Sequence, residues 1–155
     1  MPLTLTDLQM FEGKNIKDIC DCSYHGDADN HCAHFVSHVL KLTFGFTCKN
    51  MTNKGPRGVN IRVHEIFSRC PKVGKWSDRP KTLSMCLAFV TAVSHVIVST
   101  KHMDNVPKKH IGIYHSGTIW HYSNTRHMVV KQNPEQYAKH YSGSDIAMFF
   151  GELPA

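Results

Sequence analysis

The sequence predicts an α+β domain in which helices come first and antiparallel strands follow. Two segments of the first half repeat apolar residues at helical spacing, and two short β-rich runs of the second half flank a Ser-Gly turn. No internal repeat or linker interrupts the 155 residues. A chain of this length with 41% hydrophobic residues can bury one core, so we expect a single domain spanning 1–155.

Caps and apolar spacing define the elements of the first half. We expect a short helix over 7–11 capped by Thr6, a loop over 18–30, a helix over 32–42 stopped at Gly45, a polar connector over 47–58, and a helix after Asn60 that ends before Pro71. Cys32 would then be the first residue of the second helix.

Valine-rich and aromatic runs define the second half. We expect strands over 83–98, 110–114, 118–122 and 146–150, with a short helix from the Asn133-Pro134 cap to about Tyr141. Residues 70 and 86 are cysteines in apolar settings, where a cysteine is usually a small core residue.

The Ser116-Gly117 turn sets a testable register for the hairpin. With a two-residue loop, Gly112 faces His121, and His110 and His121 become diagonal neighbours on one face. Gly112 leaves open space between them, and a slip of one residue would separate the two histidines. The reverse face would carry the apolar residues Ile111, Ile113, Trp120 and Tyr122.

A thiol at a helix N-terminus and two imidazoles on a sheet make a candidate catalytic group. Unpaired backbone N–H groups favour the Cys32 thiolate, one histidine can take the thiol proton, and the other can orient the first. The alternative is that Cys32 is a small core residue and the histidines are ordinary sheet residues. With a different register, Asn124, Asp104 or Asp145 could replace His121 as the third residue.

Two segments resemble the NlpC-type, papain-like cell-wall cysteine peptidases. The run His31-Cys32-Ala33-His34-Phe35-Val36 is similar to the family's nucleophile helix, although His31 replaces the usual aspartate. The run His110-Ile111-Gly112-Ile113-Tyr114, followed by Ile119-Trp120-His121, is similar to its histidine strand and the next strand. The resemblance implies a nucleophile helix packed on an antiparallel sheet, with Cys32 as nucleophile, His110 as general base and His121 as orienting residue. It implies oxyanion or substrate-side positions at Tyr24 and His31.

The same resemblance implies a peptidoglycan amidase that cuts the wall peptide stem near D-glutamate and diaminopimelate. The small size and the net charge of +6 are similar to those of type VI secreted antibacterial effectors. That likeness implies synthesis in a bacterial cytoplasm without a signal peptide, delivery to the periplasm of a target cell, and a cognate immunity protein that occludes the site. We expect no cofactor, no metal, no nucleic-acid partner and no membrane span.

Two other functions fit part of the sequence. The run 30–36 also resembles lecithin:retinol acyltransferase-like enzymes, in which the histidines precede the cysteine, whereas here they follow it. A non-enzymatic zinc module is the third interpretation, since His34 and His38 have i, i+4 spacing near Cys32 and His31. We expect His34 and His38 to form a solvated or partner-facing helix edge. The one-residue gap of Cys20-x-Cys22 is not the spacing typical of zinc knuckles.

Overall fold

A six-stranded antiparallel sheet organises this mixed α+β fold, which we describe from a computed structural model over residues 3–55 and 58–154. The helices are α1 Leu5–Gln9, α2 Cys32–Leu40, α3 Cys48–Thr52, α4 Val63–Arg69 and α5 Pro134–Tyr137. The strands are β1 Val73–Lys75, β2 Met85–Ala92, β3 Val96–Ile97, β4 His102–Met103, β5 Lys109–His115, β6 Thr118–Ser123, β7 Met128–Gln132 and β8 Ile146–Gly151. No helix in these ranges is long and apolar enough to cross a bilayer.

The sheet has the strand order β1-β8-β2-β5-β6-β7, and β3 and β4 form a separate two-stranded ladder. Helix α2 packs on β5 and β6, and α4 also contacts β5. On this face, apolar side chains of the sheet join the main core cluster with Phe35 of α2. On the opposite face, Tyr137 of α5 packs with a second cluster that includes Tyr114 and Ile119. The sheet is therefore covered on both faces.

The register of the β5–β6 hairpin is the one that the sequence predicts. Ile113 pairs with Trp120 and His115 with Thr118, which leaves Ser116 and Gly117 as a two-residue loop. Both loop residues have positive φ, 50° and 95°, as a type I′ turn requires. His110 and His121 therefore share one face, and the four predicted apolar residues of the reverse face lie in the main core.

The helices of the first half agree with the sequence in part. Helix α2 begins at Cys32 as predicted, but it ends at Leu40 because Lys41 takes the left-handed conformation, with a φ of 59°. Helix α1 lies two residues earlier than predicted and is capped by Thr4 rather than Thr6. The predicted connector is wrong where Thr47 caps α3 through a reciprocal capping box. Residues 56 and 57 of that connector lie outside the described ranges.

The strands differ mainly in their ends and in number. The predicted strand over 83–98 ends at Ala92, where a short 3-10 turn begins, and the strand predicted near the C-terminus is β8. Helix α5 begins at Pro134 as predicted but ends at Tyr137. The short strands β1 and β4 and the strand β7 were not predicted, and β7 completes the candidate site.

Candidate active site

The N-terminus of α2 is held by two asparagine side chains. Asn30 Oδ1 accepts the backbone N–H of Cys32 at 3.0 Å and a side-chain N–H of Asn124 at the same distance. Asn124 Oδ1 in turn accepts the backbone N–H of His31 at 2.9 Å. Because Asn124 follows β6, these bonds tie the start of α2 to the sheet. The Cys32 N–H, a candidate oxyanion donor, is thereby engaged by Asn30.

The Cys32 thiol is 1% exposed and lies beside strand β5. Burial raises its pKa to about 11, while backbone N–H groups of Ile111 and Ala33 and the charge of Lys109 act in the opposite direction. The pairing of β5 with β6 covers Ile113 to His115 and does not extend to Ile111. The backbone N–H of Ile111 can therefore donate to the Cys32 sulfur. The sulfur therefore lies next to the residue that follows His110.

The two predicted histidines meet across the hairpin. His110 Nε2 lies 2.9 Å from His121 Nδ1, and the ring planes are nearly perpendicular, at 89°. Gly112 permits this approach, because a Cβ there would lie 3.0 Å from His121 Cβ. His121 Nε2 continues the chain to Gln132 Oε1 at 2.7 Å. Gln132 lies on β7, diagonal to His121, which faces Val130 directly.

This chain of hydrogen bonds fixes the proton positions on both rings. An amide oxygen only accepts, so His121 Nε2 carries a proton and donates it to Gln132. His121 Nδ1 is then an acceptor, and His110 Nε2–H donates to it. The remaining nitrogen, His110 Nδ1, is left with a lone pair. It is buried and makes no hydrogen bond among the described residues, including to the Cys32 sulfur.

Burial keeps both imidazoles neutral. It lowers the pKa of His121 to about 4, opposed by the Gln132 hydrogen bond and reinforced by His140. It also lowers the pKa of fully buried His110, with His140 and His121 as further causes. The His140 ring stacks on His110 with centroids 3.8 Å apart. Tyr137 completes the enclosure by donating its hydroxyl to Ala88 O at 2.9 Å.

His110, His121 and His140 also bring ring nitrogens close enough together to hold a metal. The hydrogen bond between His110 and His121 occupies the two facing nitrogens that a shared metal would need. The free Nδ1 of His110 points to proton transfer instead. The arrangement therefore favours a proton relay over a metal centre.

Tyr24 and His31 lie near the start of α2 but have other partners. The Tyr24 ring packs against His31 and His34, with centroids 5.1 and 5.4 Å apart. Both ring nitrogens of His31 are engaged, one with His34 Nδ1 and the other with Gly26 O. Within the described ranges Tyr24 makes no hydrogen bond to Cys32, so its oxyanion role stays a prediction.

The expectation of a solvated edge at His34 and His38 is wrong. The His34 side chain is 0% exposed, and His38 is half-buried. This edge packs against Tyr24 and Cys20 of the N-terminal segment, and residues 32–37 of α2 are all buried.

The orienting group that the sequence analysis missed is Gln132. Of the alternatives considered, Asn124 binds the start of α2 and Asp104 binds His102 at 2.8 Å. A signal was present: Met128-Val-Val-Lys-Gln132 follows the hairpin directly, as a third strand of a meander would. Asn30 was also missed, although an asparagine beside a helix start is a frequent cap.

A small cavity with a partly polar lining opens at Cys32. Its volume is about 100 Å³, and Asn30, Arg62 and Lys109 contribute polar groups to its lining. The Arg62 guanidinium lies over the Phe46 ring at 4.0 Å, and Lys109 donates to Asn105 at 3.0 Å. The cavity therefore presents two cationic side chains beside the thiol.

No protein family, curated protein or solved structure matches this chain. The chemical interpretation of the site consequently depends on its own geometry.

Proposed function

We propose that the protein is a cysteine hydrolase of the NlpC-type, papain-like class that cleaves an amide bond in the peptide stem of peptidoglycan. The observation that carries the proposal is the His110–His121–Gln132 relay, which ends in an unpartnered, buried Nδ1 on the residue before Ile111, the strand residue whose backbone N–H lies toward the Cys32 sulfur. A general base needs such a lone pair.

In the proposed reaction, His110 Nδ1 takes the proton of the Cys32 thiol as the sulfur attacks the amide carbonyl. The imidazolium is stabilised because His110 Nε2–H donates to His121, which in turn donates to Gln132. The C–N bond then breaks, and the amine leaves with the proton from Nδ1. The structure holds no hydrogen bond between the Cys32 sulfur and His110 Nδ1, so this bond must form when substrate binds.

Water completes the cycle. It gives a proton to His110 Nδ1 and adds to the thioester carbonyl, the C–S bond breaks, and the Cys32 thiol regains the proton. The backbone N–H of Ala33 and a Cys32 N–H released from Asn30 are suitably placed on the first turn of α2 to hold the oxyanion.

Charge supports an anionic peptide as substrate. Arg62 and Lys109 line the cavity at Cys32, and the chain carries a net charge of +6. Wall stem peptides carry free carboxylates, which these cations would attract. Delivery by type VI secretion and an immunity protein that covers the site belong to the same proposal and follow from the resemblance alone.

A lipid acyltransferase is the second candidate for the same thiol. An acyl chain needs a long apolar pocket, and pockets for such ligands usually measure about 300–1,000 Å³. Asn30, Arg62 and Lys109 line the cavity at Cys32, and these polar groups favour a peptide over an acyl chain.

Digestion of purified sacculi tests the proposal. Wild-type protein is expected to release muropeptide fragments whose masses identify the cleaved bond. The Cys32→Ala variant should release none while keeping the wild-type circular dichroism spectrum, and Cys86→Ala, which removes a buried thiol of strand β2, should digest normally. Equal digestion by Cys32→Ala, or acyl transfer from phospholipid vesicles in place of digestion, would refute it.

A further inference from the structure

A second cluster of ligand-type side chains, which shares no residue with the relay, lies around helix α2. Cys20 follows the N-terminal 3-10 turn, His34 and His38 lie one turn apart on α2, and Cys48 is the first residue of α3. One ligand atom of each lies within 4.8 Å of every other. Three separate segments thus place two thiols and two imidazoles around one point.

We propose that Cys20, His34, His38 and Cys48 bind one zinc ion that fastens the N-terminal segment and α3 to the nucleophile helix. The inference does not depend on the proposed hydrolase function. Two thiolates and two imidazoles form a standard tetrahedral zinc set, and four protein ligands leave no open position for catalysis.

The sulfur separation fits a metal better than a disulfide. The Cys20 and Cys48 sulfurs lie 3.9 Å apart. Zn–S bonds of about 2.3 Å at the tetrahedral angle place two sulfurs about 3.8 Å apart. A disulfide needs about 2.05 Å. Cys20 and Cys48 form no disulfide with each other in the structure.

The imidazole nitrogens that would face the ion have no other partner. His34 Nε2 and His38 Nε2 are both buried, and neither makes a hydrogen bond among the described residues. Buried polar atoms are nearly always hydrogen-bonded, so two unpartnered nitrogens beside two thiols require a cause. A shared metal ion supplies it.

Hydrogen-bond partners that do not themselves bind the ion orient its ligands, as they do in zinc proteins. Gly26 O accepts from His31 Nε2 at 2.8 Å, so His31 Nδ1 is an acceptor for His34 Nδ1–H at 3.1 Å. This fixes the tautomer of His34 with its Nε2 lone pair free, the arrangement that metal-bound histidines use.

The sulfurs also have outer partners. Backbone N–H groups of Cys22 and Val59 donate to the Cys20 and Cys48 sulfurs at 3.2 and 3.4 Å, which stabilises thiolate. Soft thiolates with imidazoles select zinc over magnesium or calcium.

A route for the ion exists. An open groove of about 560 Å³ reaches Cys20 and His38 from the surface. Ligand set, spacing, outer partners and access therefore agree with one another.

Metal analysis of the full chain, purified without a histidine tag, tests the site. We expect one zinc per wild-type chain, loss of zinc in Cys48→Ala and His38→Ala, and retention in His38→Cys, which keeps a thiolate ligand. Cys86→Ala serves as the matched buried-cysteine control and should retain zinc. Cobalt added to the metal-free protein should give the visible bands of a tetrahedral thiolate complex.

Other variants separate this site from the relay. Cys32→Ala and His110→Ala should keep the zinc, so failure of the hydrolase proposal would leave this one standing. If the ligand variants do not fold, the melting temperature of the wild-type protein tests the site instead. EDTA should lower this temperature, and added zinc should restore it. A metal-free wild type that is stable in EDTA, a Cys20–Cys48 disulfide by mass spectrometry, or zinc that depends on His110 would overturn the proposal.

Discussion

Burial of the histidine pair leads to a quantitative prediction for stability in acid. His121 has a pKa lowered by burial to about 4, whereas an imidazole in an unfolded chain titrates near about 6.5. Between these values the unfolded chain binds more protons than the folded one. The stability contribution is therefore complete above about pH 6.5 and is lost as the pH falls toward 4.

The size of the effect follows from the two pKa values. Linkage gives a loss of about 2 kcal/mol in the free energy of unfolding from His121 between pH 7 and pH 5, and about 3 kcal/mol by pH 4. The groups facing His121 are His110 on β5, Tyr137 on α5 and His140 just after it. All three remain in a His121→Asn variant.

Urea unfolding at pH 7 and pH 5 measures this loss. Wild type should lose about 2 kcal/mol more than His121→Asn between the two pH values, because both proteins share every other titratable group. His102→Asn, which removes an exposed histidine, should lose as much as wild type to within about 1 kcal/mol. Equal losses in wild type and His121→Asn would show that burial does not hold this imidazole neutral. That result would contradict the proton positions of the relay.

Three further predictions concern the site. Gln132→Leu should lower kcat/KM at least about tenfold, as part of the roughly 10²–10⁴-fold that a general base contributes. Gln132→Glu, which still accepts the His121 hydrogen bond, should retain most activity. Equal kinetics for the two variants would contradict the relay. Gly112→Ala should destabilise the fold by about 1–3 kcal/mol in urea unfolding, because its Cβ would lie 3.0 Å from that of His121; an unchanged midpoint would contradict the close approach. Arg62→Ala and Lys109→Ala should each raise KM about tenfold for an acidic stem peptide, because each variant loses a charged hydrogen bond to a carboxylate. An equal rise with a peptide whose carboxylates are amidated would contradict carboxylate recognition.

The hairpin could be predicted from sequence because its information is local. A two-residue Ser116-Gly117 turn fixes the register, and the period of two then places His110 and His121 on one face. The start of α2 at Cys32 is local in the same way, since apolar spacing begins there. These two elements carry most of the proposed chemistry.

The remaining features depend on contacts between distant segments. Gln132 reaches His121 only because β7 pairs beside β6. Cys20 and Cys48 stand 28 residues apart and meet across α2, so no spacing pattern joins them. The sequence predicts a connector at helix α3 because its five residues carry no apolar period, and only its capping box marks it as a helix.

Covalent labelling of the thiol is the most direct test of the central claim, that Cys32 is a nucleophile served by His110. An electrophilic wall-peptide analogue should modify wild type once, at Cys32 in the peptide map, and should modify His110→Ala much more slowly. Labelling of another cysteine, or equal rates in wild type and His110→Ala, would contradict the account.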